Sequence, residues 1–406
     1  MLSSIFLRNR SAFLALVGVV AALKLVLSAI EPASWDLRDI IALMGAGNAP
    51  IGPWIALYPP LYNQTASNIS QLQSWPLTAS LWSTPNIMEL SLLFRVLVFI
   101  FDIGTMVVLY YIGRRLKSSV EGRLMGLVWF LNPFSLFAVE LLGLPDVTCV
   151  FLITLSLFLL ISQRPLLSAV AIGLGAFVRF FPIFLFPPLL LYIRSNGASR
   201  KHLAAVIAIG LVGLGGYLSW VLPYGFEYLT TPTPVTFFLP FLGGAQNTVN
   251  VTTFGMFAFY CIQFIFMKKN GPLPVLLSAL LAYFVVAEPG PQYLIWLLPL
   301  IAVDVVAFAD KLKRLVVLAF LTLGFAQWFL LSSAFVTPSG YSLLMFPLGG
   351  PIVPGFSVAL GNFLDSNLVD IIILPLVASS TFALLIAYAT EQMRVWFSVP
   401  EIQSNK

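Results

Sequence analysis

Asp36 and Asp39 stand three apart in the stretch Glu31-Pro-Ala-Ser-Trp-Asp36-Leu-Arg38-Asp39. On a short interfacial helix over 35–43 their carboxylates share a face. Such a pair can serve as a general base with a supporting partner, or it can hold a divalent ion. The same residues also suit a solvated first helical turn with an acidic cap. Arg179 is a permanent cation inside Phe177-Val-Arg-Phe-Phe-Pro182. It needs an anionic partner there, either a lipid phosphate or a neighbouring Asp or Glu. Glu288-Pro-Gly-Pro-Gln292-Tyr293 leads into Trp296. Gln292 and Tyr293 can hydrogen-bond sugar hydroxyls and Trp296 can stack on a sugar face, although an interfacial aromatic belt has the same composition. Glu140 and Asp146 flank a short turn, and Asp146 is also placed to cap the next helix. Arg95 and Asp102 lie seven apart, about 10 Å along a helix, which suits a network inside a bundle rather than a direct pair. Lys24 lies near the outer end of its apolar run, where it can snorkel outwards. His202 belongs to a basic loop. Cys149 and Cys261 fall on separate apolar runs and give no case for a disulfide.

The elements that hold these residues follow from composition. Of 406 residues, 59% are hydrophobic and 9% charged, against about a quarter charged in soluble proteins. This excludes a soluble enzyme, a disordered chain and a disulfide scaffold. One His and two Cys leave no basis for a His- or Cys-rich zinc site. A net charge of +5 is too small to argue for nucleic acid. Apolar runs able to cross a hydrocarbon core of about 30 Å recur near 11–30, 89–113, 124–141, 147–162, 203–222, 251–267, 272–287, 293–309, 315–336 and 366–390. The segment 166–194 reads as a hairpin of two short arms with Val178-Arg179-Phe180 at its turn. Read this way, seventeen of the twenty-one basic residues fall on one side, which the positive-inside rule makes cytoplasmic. Only Lys24, Arg38, Arg95 and Arg179 lie elsewhere.

The expectation is therefore a single all-α polytopic membrane domain over 1–406, with about twelve membrane segments and both termini cytoplasmic. The first segment does not read as a cleaved signal. Three outer segments, 31–88, 223–250 and 337–365, are rich in Pro, Gly, Trp and Tyr, as interfacial loops are. The sequons at Asn63, Asn68 and Asn250 all fall there. No repeat or inverted half-and-half symmetry is visible, so a secondary transporter is disfavoured.

Taken in order, certain motifs carry a resemblance. After Asp36 come Tyr58-Pro59-Pro60, Phe101-Asp102, Leu109-Tyr110-Tyr111, Leu131-Asn132-Pro133 and Gly143-Leu-Pro-Asp146. Gly173-Leu-Gly-Ala-Phe-Val-Arg179-Phe-Phe-Pro182 and Pro291-Gln292-Tyr293-Leu-Ile-Trp296-Leu-Leu-Pro299 complete the series. It resembles the membrane-embedded GT-C glycosyltransferases, in particular the first mannosyltransferase of glycosylphosphatidylinositol synthesis and its archaeal relatives. The resemblance implies an inverting transfer of a sugar, mannose above all, from a polyprenyl- or dolichyl-phosphate donor. The acceptor would be a glycolipid or glycan, lipid- or protein-linked, at the outer or lumenal face.

On this resemblance Asp36 is the catalytic acid of the first outer loop, with Asp39 and Glu31 in support. Arg179 and Arg38 hold the donor phosphate. Tyr58, Asp146, Asn247, Gln292, Tyr293 and Trp296 contact substrate. Two positions depart from the family pattern: Ser34 replaces the first acid of an Asp-x-Asp, and Gln246-Asn247 stands where His-Asn is usual. Metal dependence stays open, since a divalent ion fits the carboxylate pair. The membrane is an archaeal or other prokaryotic plasma membrane, or that of the endoplasmic reticulum. Membrane lipids and a small membrane protein are the further partners, and nucleic acid is not one. A second resemblance, over Ser34-Trp35 through Gly47-Asn48-Ala49-Pro50, is to the multispanning, noncatalytic subunit of the glycosylphosphatidylinositol transamidase. It implies lipid binding without chemistry.

Overall fold

The structure is a computed structural model that describes residues 9–28, 87–141, 143–144, 146–178, 181–221, 257–261, 271–287 and 291–308, with Ile386 and Thr390 as isolated helical positions. Every regular element among the described residues is helical. Long continuous apolar runs favour this, because a helix satisfies its own backbone polar groups away from water.

The elements are α1 (Arg10–Ser28), α2 (Ile87–Leu116), α3 (Ser119–Phe130) and α4 (Pro133–Ser135), which continues as a π-helical turn over Leu136–Leu141. Next come α5 (Asp146–Ile161), α6 (Pro165–Val178), a 3-10 turn (Phe181–Leu185), α7 (Phe186–Ser195) and α8 (Arg200–Val221). After them lie α9 (Pro272–Ala287), a second 3-10 turn (Pro291–Trp296) and α10 (Leu298–Phe308). Local chemistry sets several boundaries. Ser118, in extended conformation, accepts from the Val120 N–H at 3.1 Å and caps α3. Asn132 accepts from the Phe134 N–H at 2.9 Å, and Pro133 follows as the first residue of α4. Gly197, at φ +78°, ends α7 in the left-handed conformation, with its N–H on the Arg194 carbonyl.

α2 and α5 form the centre. α2 packs on α3 and α5, α6 on α5 and α8, and α7 on α8 and α9. α10 lies against α3 and α2, while α1 reaches the bundle through the π turn and α2. α2 and α3 meet at glycines: a Cβ on Gly113 would lie 2.6 Å from the Gly122 Cα. Small residues let helix backbones approach this closely in membrane bundles. Gly113→Val therefore forces the two helices apart. We predict a loss of about 1–3 kcal/mol, read as a lowered thermal midpoint in detergent. An unchanged midpoint would show that this crossing tolerates a side chain.

Among the described residues, two helices are long and apolar enough to cross a membrane, Arg10–Ser28 and Arg95–Leu116. A third span results if Ser119–Phe130 and Pro133–Glu140, bent by 45°, count as one. Against an expectation of about twelve segments, two or three full-length spans are found among the described residues, and twelve are not confirmed. Five further apolar helices there, α8 not among them, run to 10–17 residues. At 1.5 Å per residue they stop short of about 30 Å. The runs at 315–336 and, apart from two positions, 366–390 lie outside the described residues, as do the outer segments 223–250 and 337–365. Of 31–88, only 87 and 88 are described, and they open α2.

The expected break in 166–194 is present. α6 ends at Val178, and the next turn starts at Phe181. Gly175 faces Pro182 and Gly173 faces Phe186, so the two arms run back along each other. Both arms rest on α8, where Gly210 faces Phe186 and Gly213 faces Gly173.

Candidate functional site

Two groups of buried polar side chains tie the bundle together. The first joins α1, α2, α3 and the π turn. Lys24 lies 2.7 Å from Asp102 Oδ2 and 3.2 Å from Glu140 Oε1, and all three side chains are buried. The Lys24 ammonium also sits 4.6 Å from the Phe130 ring centroid, a favourable place for a cation. Trp129 Nε1–H donates to Asp102 Oδ1 at 2.8 Å, and the Ser28 hydroxyl donates to Glu140 Oε2. Arg95 Nη1 donates to the Ser28 carbonyl at 2.6 Å, at the last residue of α1. The cluster thus holds two cations and two carboxylates, which balance.

Lys24 does not snorkel outwards; it is fully buried. Two acids on neighbouring helices draw it in, and pairing with them offsets the desolvation that snorkelling would have avoided. Asp102 does sit in a network, as its spacing from Arg95 suggested, but the cation it meets is Lys24. Ser28 and Trp129 carried no distinguishing signal in the sequence. The signal that was available is the charge count: Lys24 and Arg95 against Asp102 and Glu140, all within apolar runs. Glu140 reaches the cluster from the π turn, a geometry often found at functional places in helices.

The second group brings together three segments far apart in sequence. Asp146 opens α5 shortly after Gly143, whose φ of +64° favours glycine. Its Oδ1 accepts from Trp296 Nε1–H at 3.2 Å, across 150 residues. Trp296 closes the second 3-10 turn and stacks on Phe181, with the ring planes 6° apart. Phe284 meets Trp296 edge-on at 5.7 Å, and Tyr283 lies 6.3 Å away. Tyr283 also contacts Phe184, whose carbonyl accepts from the Tyr260 hydroxyl at 2.7 Å. Phe181 is the second residue after Arg179 and begins the second hairpin arm.

Of the residues singled out above, Asp146 and Trp296 are therefore in contact, buried at 0% and 5% exposure. Gln292 and Tyr293 share the 3-10 turn with Trp296. Asp36, Asp39, Glu31, Arg38, Tyr58, Arg179 and Asn247 lie outside the described residues. Asp304, on α10, is a further buried acid that the sequence reading passed over. Its own helix is uniformly apolar, so no periodic pattern marked it.

An integral membrane protein that is helical throughout its described residues, with polar groups gathered in an apolar bundle, is the class that this fold and these sites define. The family model of the GPI transamidase subunit PIG-U matches residues 61–242. No curated protein matches the chain. Among solved structures, the chain is similar to the crystal structure of ArnT from Cupriavidus metallidurans bound to undecaprenyl phosphate. That similarity has 14% identity and a TM-score of 0.49, and covers 94% of this chain and 76% of that one.

Proposed function

We propose that the protein is a membrane glycosyltransferase that takes a sugar, mannose foremost, from a polyprenyl-phosphate donor. The acceptor is a lipid- or protein-linked hydroxyl on the outer or lumenal face. One observation carries this reading: Asp146, Trp296 and the segment just after Arg179 meet at one place, although they lie on three separate stretches of chain. Three of the motifs that carry the resemblance are thus neighbours in space.

The chemistry is an inverting displacement. The acceptor oxygen bonds to the anomeric carbon, and the bond from that carbon to the phosphate oxygen breaks. Asp36 takes the acceptor proton as general base, with Asp39 and Glu31 in support. The departing polyprenyl phosphate carries away the electron pair, and Arg179 with Arg38 balances its charge. Tyr58, Asn247, Gln292 and Tyr293 are the candidates for sugar and acceptor hydroxyls. The phosphate is already a good leaving group, so no nucleotide-binding domain is required. Loss of turnover in EDTA, restored by a divalent ion, would add a metal to the carboxylate pair.

A noncatalytic, lipid-binding subunit is the second reading, favoured by the PIG-U match. That match begins at residue 61 and leaves Asp36 outside it. Retention of Asp36 at the place of the acid of the first outer loop supports the enzyme over the scaffold. The deciding experiment is a transfer assay on the purified protein, with polyprenyl-phosphate-mannose as donor and a mixed lipid extract as acceptor. Labelled product supports the enzyme. Donor binding without product, across a range of acceptors, supports the scaffold. We also predict that Arg179→Ala weakens donor binding by about ten- to a hundredfold, the worth of a charge-assisted contact. Equal binding by the variant would remove Arg179 as the phosphate ligand.

A further inference from the structure

We infer that the outward seam between α2 and α5 binds an anionic phospholipid, with its headgroup on Arg114, Arg115 and Arg164. Such a site serves an enzyme and a scaffold alike, and none of it depends on the sugar donor. Two ring contacts set how the two helices lie. Phe101 is 5.5 Å from Phe151, and further along both chains Tyr111 is 6.2 Å from Phe158. The helices therefore run in the same direction, and their C-terminal ends lie at the same end of the bundle.

Both ends carry cations. Arg114 and Arg115 stand in the last turn of α2, one turn beyond Tyr111. Arg164 follows α5, where its N–H donates to the Leu159 carbonyl at 2.8 Å and the Gln163 N–H to the Leu160 carbonyl at 3.0 Å. This is the helix stop that usually has glycine in the left-handed conformation; here Gln163 takes that place at φ +57°. The residue after such a stop often packs an apolar side chain back on its helix. Arg164 is exposed instead, as are Arg114 and Arg115. Glu121, the acid in the first turn of α3, accepts from the Ser118 hydroxyl at its own cap.

An apolar face leads to these cations. Val96, Ile100, Val107, Tyr111 and Arg114 recur at spacings of four, seven, four and three, so they share one side of α2. All five are exposed, Ile100 at 57% and Tyr111 at 46%. Half-buried Phe151, Leu155 and Phe158 continue this surface on α5. Gly104 lets the helices close on one another, since a Cβ there would lie 2.9 Å from the Phe151 ring. One lipid matches both parts. Its phosphate accepts from the guanidinium groups, its acyl chains lie along the seam, and the Tyr111 ring sits near the headgroup level. A soluble phosphate or an acidic peptide would use the cations alone. A zwitterionic lipid would bring a cation of its own to them.

The test uses the full chain in micelles of an uncharged detergent, titrated with phosphatidylglycerol and read by native mass spectrometry. Arg164→Gln should weaken binding about fivefold, the worth of one cation beside an anionic headgroup. Arg114→Gln, Arg115→Gln and Arg164→Gln together should weaken it about a hundredfold. The control combines Arg194→Gln, Arg200→Gln and Lys201→Gln. It removes the same charge at the α7–α8 turn, and binding should stay within about threefold of wild type. Phosphatidylcholine with the same acyl chains should bind at least about tenfold more weakly than phosphatidylglycerol.

Equal losses in the two triple variants would reduce the effect to the net charge of this end of the bundle and overturn the site. Equal binding of phosphatidylcholine would overturn it as well, because the headgroup would then not be read. Release of the bound lipid by inorganic phosphate at the same concentration would leave an anion site without the seam. All six substituted positions are exposed, and thermal midpoints check that each variant is folded. Should a triple variant fail to fold, Arg164→Gln against Arg200→Gln carries the same contrast.

Discussion

Asp36→Asn is expected to lower sugar transfer about a thousandfold and to leave donor binding unchanged, within the range of a lost general base. Asn matches Asp in shape but cannot take the acceptor proton at neutral pH. The lost step is then deprotonation of the attacking hydroxyl, so the deficit falls on kcat. The measurement is a steady-state transfer assay with polyprenyl-phosphate-mannose, run beside wild type, with donor binding determined separately. A variant that turns over at the wild-type rate would remove Asp36 as the base and pass the role to Asp39 or Glu31. A variant that also loses donor binding would make Asp36 a binding or metal-holding group. Because the prediction separates binding from chemistry, it also bears on the scaffold reading, in which neither form turns over.

The second large effect concerns stability. Lys24→Met removes the cation between Asp102 and Glu140 but keeps a similar length of buried chain. The two carboxylates then face one another, still buried, with Lys24 no longer within 2.7 Å and 3.2 Å of them. Breaking a buried ion pair from one side costs roughly 3–5 kcal/mol. We expect poor accumulation in the membrane and a much lower thermal midpoint in detergent. Adding Asp102→Asn to Lys24→Met should recover most of that loss, because the remaining Arg95 and Glu140 then balance. Asn at position 102 can still accept from Trp129 Nε1–H. If Lys24→Met melts within about 1 kcal/mol of wild type, the pairs contribute as little as surface ion pairs do.

The cluster also has a functional consequence. It anchors Ser28, the last residue of α1, through both its hydroxyl and its carbonyl. Asp36 follows eight residues later. A loosened α1 therefore frees the start of the segment that bears the candidate base. In the Lys24→Met variant, activity should fall further than the folded fraction alone explains.

Much of the helical layout is legible from residue order alone. The runs at 11–30, 89–113, 147–162, 203–222, 272–287 and 293–309 correspond to α1, α2, α5, α8, α9 and the final 3-10 turn with α10. The interruption at 124–141 was not visible as such, although Asn132-Pro133 is its cause: Asn132 caps a new helix and Pro133 cannot continue the old one. The hairpin was legible because a single helix over 166–194 would have reversed the sidedness of every later basic cluster.

Composition and the spacing of apolar runs determined that the chain is helical and where most of its helices lie. In a medium without water each backbone donor and acceptor must be met inside the protein, and long continuous apolar runs do this as helices rather than as the alternating strands of a barrel. Which charges meet was decided only by the tertiary structure. Lys24 finds Asp102 across 78 residues and Glu140 across 116. Asp146 finds Trp296 across 150. Helical spacing says which residues share a face of one helix. It says nothing of which helix lies opposite, and the pairing of a buried charge depends on that neighbour.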